Sequence, residues 1–323
     1  MKKANEQTVY CGIDVSCATF DAVVSHRHRQ FPNTRKGFAQ LLRWAGAATH
    51  FVMEATGPYH SLLAHYLYEQ GKLVSVLNPR EVHRFLLWKG KGRKTDKLDA
   101  ALLAEFAQFD VLPTWRPMAV QVQYIRQLNK QIAVLNKEIN RLTNQLHAHQ
   151  YQAHAFKQVG ESIKRCIAAL KTEKQELEET LRQLVQQHYG PAYVLLLSIP
   201  GVAPKTAAAW IGYLQELDRF ETSAQLVRYL GLDSQIKQSV SSVVGKGNIS
   251  KRGNANLRAQ LFMCALSAAK WNTACKELYQ RLIGRGKPKK VALIAVVNKL
   301  VRQIFAILKA GEPYVKQPKI ILS

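Results

Sequence analysis

"VYCGIDVSCATFDAVVSHRHRQFPN", residues 9–33, reads as three strands joined by two short turns. "VYCGIDVS" (Val9–Ser16) is a buried strand, "TFDAVVSH" (Thr19–His26) follows after a short turn, and "RQFPN" (Arg29–Asn33) completes a meander. Working outward, "GFAQLLRWAGAA" (Gly37–Ala48) has helical apolar spacing. "HFVMEAT" (His50–Thr56) is a strand that stops at the breaker pair Gly57-Pro58. "SLLAHYLYEQG" (Ser61–Gly71) is a helix with a glycine stop, and "LVSVLNP" (Leu73–Pro79) is another buried strand. "REVHRFLLW" and "TDKLDAALLAEFAQF" supply further helix. The order βββαβαβα, with short links, predicts a mixed sheet covered by helices.

Beyond this the pattern changes. Ile125, Leu128, Ile132, Leu135, Ile139, Leu142 and Leu146 alternate spacings of three and four, an a/d seam. After "QLHAHQYQAHAFKQVGES" a second helix carries Ile163, Ile167, Leu170, Leu177, Leu181 and Leu184 on one face, with Lys174 at a seam position. An antiparallel hairpin, arms that pair between protomers, and two helices of a globular bundle all fit. From Pro191 the chain reads as mostly helical, broken by the Ser/Gly/Lys-rich segment Asp233–Asn254. A loop of that length in a compact domain is usually functional. The expected division is 1–115 as an α/β domain, 116–190 as coiled-coil helices and 191–323 as an all-α domain.

Composition narrows the partners. The 323 residues carry 46 Lys+Arg against 22 Asp+Glu, a formal charge of +24. From Ser241 onward stand 16 basic residues with only Glu277 and Glu312 as acids, so this tail holds +14. A chain this basic meets a polyanion, most often nucleic acid. Five scattered cysteines without a C-x-x-C pair argue against a disulfide framework or a zinc site and fit a reducing cytosol. The N-terminus turns straight into strand rather than into a signal sequence. Apolar runs such as "KVALIAVVNKLV" read as too short and interrupted to span a bilayer, so no membrane partner is expected.

The carboxylates carry the chemistry. βββαβαβα is the element order of the ribonuclease-H-like fold, in which the first strand lies beside the fourth and a late helix packs near their ends. Asp14 lies towards the end of strand one and Glu54 at the end of strand four, while Asp96 and Asp99 share one helix face. A lone Asp in an apolar strand is costly to bury without a partner. Asp96 alone would be an ordinary helix start capped by Thr95. Gathered in one fold, four carboxylates suit hard divalent cations, which can hold the attacking and leaving oxygens of a phosphoryl transfer.

"GIDVS", "MEATG", "LVSVLNP" and "KTDKLDA…LLAEF" resemble the DEDD transposases of the insertion-sequence one-ten family, which include Piv-type DNA invertases and RNA-guided bridge recombinases. The resemblance covers nearly the whole chain in motif order. It implies an N-terminal RuvC-like domain, a C-terminal transposase domain, and Asp14, Glu54, Asp96 and Asp99 as a tetrad binding Mg²⁺, with Mn²⁺ as the alternative. "IKQSVSSVVGKGNISKRGNANLR" resembles the family's second block, which aligns Ser239 with its nucleophilic serine; Val240 stands where glycine is usual, and Ser241 is the second choice. No His is near in sequence to activate a serine, so the metal site would have to do so. The partners implied are double-stranded target and donor DNA, a structured guide RNA, and a second copy of the chain in a homodimer or homotetramer, in a prokaryotic cytoplasm.

"SIPGVAPKTAAAW" resembles a helix-hairpin-helix turn, with Gly201 and Lys205 as candidate phosphate contacts and Ala203 where a second glycine is usual. A plain αα-hairpin fits it equally. Lys251, Arg252, Arg258, Arg285, Lys287, Lys289 and Lys290 lie in flexible Gly-Lys-Arg segments suited to phosphate rather than base contacts. The competing readings are a RuvC-like junction-resolving nuclease, an invertase without guide RNA, and a non-catalytic nucleic-acid scaffold.

Overall fold

The computed structural model describes residues 8–55, 57–88, 96–109, 112–212, 217–218, 220–235, 248–251 and 253–315. The chain forms two compact units, Met1–Pro117 and Met118–Ser323.

In the first unit β1 (Tyr10–Val15), β2 (Thr19–Val24) and β3 (Arg27–Pro32) form the expected meander. Then come α1 (Arg35–Ala45), β4 (His50–Glu54), α2 (Ser61–Glu69), β5 (Leu73–Leu77), α3 (Pro79–Trp88) and α4 (Asp96–Phe109). The third strand starts two residues before the expected Arg29, because the link from β2 is only Ser25 and His26, both at positive φ (48° and 65°). Two left-handed residues in a row match the right-handed twist of a tight hairpin.

The sheet order is β3-β2-β1-β4-β5. The first three strands are antiparallel, and β4 and β5 run parallel to β1. Strand alternation then sorts the faces. Cys11, Ile13, Phe20, Ala22, Phe51 and Met53 pack with Phe38 and Leu41 of α1 and Leu63 and Leu67 of α2. The other face sets Val52 and Leu77 against Val82 of α3 and Leu103 and Ala107 of α4. Because both faces are covered, β4 is buried from His50 to Met53, and its sequence is correspondingly continuous in apolar character. His50 is tolerated there by a relay: Ser75 Oγ donates to the Pro113 carbonyl (2.8 Å), so the 2.8 Å contact between His50 Nε2 and Ser75 Oγ has the imidazole as donor.

The second unit contains α5 (Val120–Gln150), α6 (Lys157–Leu197), α7 (Pro204–Ile211), α8 (Ser223–Tyr229), the two-residue strands β6 (Ser234–Gln235) and β7 (Asn248–Ile249), α9 (Ala255–Trp271), α10 (Thr273–Gly284) and α11 (Lys289–Ala310). The link between α5 and α6 is only residues 151–156, so the two pack as a hairpin within one chain. Ile125, Leu128, Ile132, Leu181 and Val185 at its base join the unit's main core. Ile139, Leu142 and Leu146 further out are only half-buried. Lys174 at the odd seam position ion-pairs with Glu178 (3.7 Å). Near its end α6 kinks at Tyr189 (φ −136°), two residues before Pro191, which lacks the N–H of a helix interior.

One expectation is corrected here. The helix α11 has 22 residues and is long and apolar enough to cross a bilayer by length and composition. In sequence Asn298 and Lys299 interrupt the apolar run. On the helix, Ala292, Val296, Val297, Leu300, Val301 and Ile304 nevertheless form one buried face against α8, α9 and α10.

Candidate active site

The ladder between β1 and β4 runs to Ile13 opposite Met53, so Asp14 and Glu54 are the next residues on neighbouring strands. Both share parity with Gly12 and Val52, which places them on the face covered by α4. Both are half-buried. That position gives a carboxylate a polar rim while its strand remains in the core.

Gly12 explains how α4 comes so close. A Cβ there would lie 2.0 Å from the Ala100 carbonyl oxygen and 2.5 Å from the Ala104 nitrogen. The helix backbone therefore rests directly on β1, two residues before Asp14. Its first residue is Asp96, and Asp99 immediately precedes Ala100. The side chains of Asp96 and Asp99 lie outside the described residues, as does Thr95. Among the described residues no group of three or more His, Cys, Asp or Glu side chains gathers to hold a metal. Asp14 and Glu54 do fit one: they are hard oxygen donors on rigid, adjacent strand ends.

The sequence reading missed Asp21. It stands opposite Asp14 in the β1–β2 ladder and is only 7% exposed. Both its oxygens are engaged, Oδ1 by His28 Nε2 (2.6 Å) and Oδ2 by Gln30 Nε2 (3.0 Å). Asp21 is thus a held neighbour of the site rather than a free donor to a cation. The signal was present, since Asp21 interrupts "TFDAVV" as Asp14 interrupts "YCGIDV". Asn33 is a second such residue. Its Nδ2 donates to the carbonyls of Ser16 (3.0 Å) and Tyr59 (3.2 Å), joining the turn after β1 to the turn after β4.

In the second unit, β6 and β7 pair antiparallel, Ser234 with Ile249 and Gln235 with Asn248. Ser250 N donates to the Asp233 carbonyl (3.0 Å), and Ser250 Oγ donates to Asp233 Oδ1. The ends of the serine segment are therefore fastened to each other; Ser239 and Ser241 themselves lie outside the described residues.

Gly201 has φ +102°, and a Cβ there would meet Ala268 N at 2.7 Å. Close packing of the turn on α9 thus accounts for this glycine. Lys205, in the first turn of α7, lies 3.5 Å from Glu178. Lys251 is exposed at φ 54°, and Arg258 Nη1 donates to the Leu230 carbonyl (3.1 Å). Arg252 lies outside the described residues. Arg285, Lys287, Lys289 and Lys290 are exposed around the link from α10 to α11, and none forms an ion pair among the described residues. The last two begin a helix, where the backbone dipole already favours an anion.

Residues 11–155 match the family described as Transposase (DEDD_Tnp_IS110), and residues 193–280 match the family described as Transposase IS116/IS110/IS902. The chain belongs to the IS110 family of transposases. Its IS110 matches take in the strands bearing Asp14 and Glu54, all of α4, and the serine segment. Two relatives are similar along nearly their whole length. The "Pilin gene-inverting protein" of Moraxella bovis is 28% identical over 95% of this chain and 98% of the relative. That of Moraxella lacunata is 27% identical with the same coverage. An "Insertion element IS110 uncharacterized 43.6 kDa protein" of Streptomyces coelicolor is 29% identical over 47% of this chain and 37% of the relative.

Proposed function

We propose that this chain is a recombinase that cuts and rejoins double-stranded DNA, with a RuvC-like, ribonuclease-H-like domain over 1–115, a helical section over 116–190 and a transposase domain with the nucleophilic serine over 191–323. The observation that carries this reading is the side-by-side placement of Asp14 and Glu54 under a helix that begins at Asp96. The strand order with parallel β1–β4 pairing supports the ribonuclease-H-like assignment.

In this reading Asp14, Glu54, Asp96 and Asp99 hold Mg²⁺, which when bound supplies Lewis-acid polarisation of the scissile phosphate. Ser239 Oγ bonds to phosphorus, the P–O3′ bond breaks, and the leaving oxygen takes up a proton as a free 3′-OH. The phosphoserine keeps the energy of the broken bond for rejoining. Asp21, held by His28 and Gln30, and Asn33, across two turns, fix the strand ends. Arg285, Lys287, Lys289 and Lys290 contact phosphates, as do Gly201, Lys205, Lys251, Arg252 and Arg258. The protein works as a homodimer or homotetramer on target and donor DNA, with a structured RNA as guide.

A second reading, inversion of a DNA segment rather than transposition, is favoured by one observation. The gene-inverting relatives match over nearly their full length, whereas the Streptomyces insertion-element relative matches over about a third of its own.

The test uses a supercoiled plasmid carrying the element's ends, read by gel for nicks and joints and by protein-retained DNA for covalent adducts. Asp14→Asn should abolish cleavage and leave DNA binding within about twofold. Ser239→Ala should abolish the adduct. Full recombination by Ser239→Ala would end the serine mechanism, and full cleavage by Asp14→Asn would end the metal-site reading.

A further inference from the structure

Within the second unit lies a cavity of about 430 Å³ between α5, α7 and the start of α9. That is at the small end of ligand-binding cavities, which run roughly 300–1,000 Å³. Arg126, Asn129 and Lys130 line it from α5, at positions i, i+3 and i+4 of one helix face; Asn256 and Gln260 line it from α9. Two of these are cations and three are amides, and Ala209 and Leu257 add apolar surface. Arg126 is fixed in place, its Nε donating to the Gly212 carbonyl at 2.6 Å. Asn254 caps α9 by accepting from Leu257 N (2.9 Å), which sets the positive end of that helix beside the cavity. Gln260 Oε1 is buried and accepts no hydrogen bond among the described residues. Native proteins rarely leave such an acceptor unsatisfied.

We propose that this cavity takes one unpaired nucleotide of a DNA strand. A ligand that answers the wall brings an anion for Lys130, a hydrogen-bond donor for Gln260 Oε1 and an apolar face for Ala209 and Leu257. An inorganic phosphate brings the anion and an O–H donor but no apolar face. A nucleotide brings all three: its phosphate faces Lys130, its base edge donates to Gln260 Oε1, and its base face lies on Ala209 and Leu257. Amide side chains read base edges in this way because each offers a donor and an acceptor together. A duplex is too wide for the cavity, so the nucleotide must be unstacked or single-stranded. Exposed Lys251, three residues before the Asn254 cap, is available to a flanking phosphate. The proposal rests on the reading of the chain as a DNA-acting enzyme, but on neither the metal site nor the serine.

The experiment measures binding of the full chain to a fluorescein-labelled single-stranded 20-mer, the matching duplex, the same sequence as RNA, and dAMP, across a salt series. Gln260→Leu should weaken single-stranded DNA about 5- to 10-fold without changing the salt slope. Lys130→Gln should lower that slope by roughly 0.7, the value for one neutralised phosphate on a single strand. Asn256→Ala serves as a second amide variant should Gln260→Leu fail to fold. Wild-type affinity in the folded variants overturns the pocket. So does an effect confined to the duplex or to RNA, or dAMP binding as tight as the 20-mer, which would mark a free-nucleotide site. A wild-type chain that binds no DNA at all would instead overturn the recombinase reading.

Discussion

Gly12 shows how much one missing side chain decides. The atoms that would meet its Cβ are backbone atoms of α4, which cannot rotate away. Gly12→Ala should therefore cost at least the ~1–3 kcal/mol typical of overpacking, and it should abolish cleavage by lifting the helix that begins at Asp96. Gly284→Ala is the control: it lies in α10 without a positive φ and with nothing within 4 Å of the added Cβ, so no loss is expected and helix propensity predicts a gain of about 0.5–1 kcal/mol. Denaturant midpoints of the two variants, compared with wild type, check this; equal midpoints would deny the close approach. His50 gives a pH dependence. Burial lowers its pKa from 6.5. The unfolded chain thus takes up a proton that the folded chain resists, so this part of the stability is complete above about pH 6.5 and is lost as pH falls toward the lowered folded value. Ser75→Ala removes the relay to Pro113 and should cost about 1–3 kcal/mol at neutral pH. Thermal unfolding between pH 5 and 8 reads both effects.

At the scale of elements, the site depends on two turns keeping step. The turn after β1 and the turn after β4 are joined by Asn33, itself held by its N–H on the Ala18 carbonyl (2.8 Å). Asn33→Ala should cost about 1–2 kcal/mol for the missing side-chain hydrogen bonds. It should slow cleavage about tenfold or more while leaving DNA affinity unchanged. A parallel fall in affinity and cleavage would make Asn33 a folding residue only. In the second unit the β6–β7 ribbon performs a comparable service, bringing the two ends of the serine segment together.

For the whole molecule, charge dominates. A net +24, with a tail rich in exposed Lys and Arg, predicts DNA affinity that falls steeply with salt. Replacing Arg285, Lys287, Lys289 and Lys290 together by glutamine should flatten the log–log slope by up to about 0.9 for each duplex phosphate that these side chains neutralise. An unchanged slope would remove this basic link from the DNA-binding surface. Stability should hardly move, since these side chains are exposed and make no ion pair among the described residues.

By itself the sequence determined the element order of the first unit, the alternation that buries Ile13 and Phe51 while reserving Asp14 and Glu54, the apolar seam of the long helices, and the family motifs. These are local patterns, written in spacings of two, three and four residues. It could not say that Asp21 stands beside Asp14, because strand register is set between chain segments rather than within one. Nor could it show that Gly12 is where a helix rests, that Gly201 is shaped by Ala268, or that α11 is a core helix. Each of these depends on what packs opposite, and only the tertiary structure decides that.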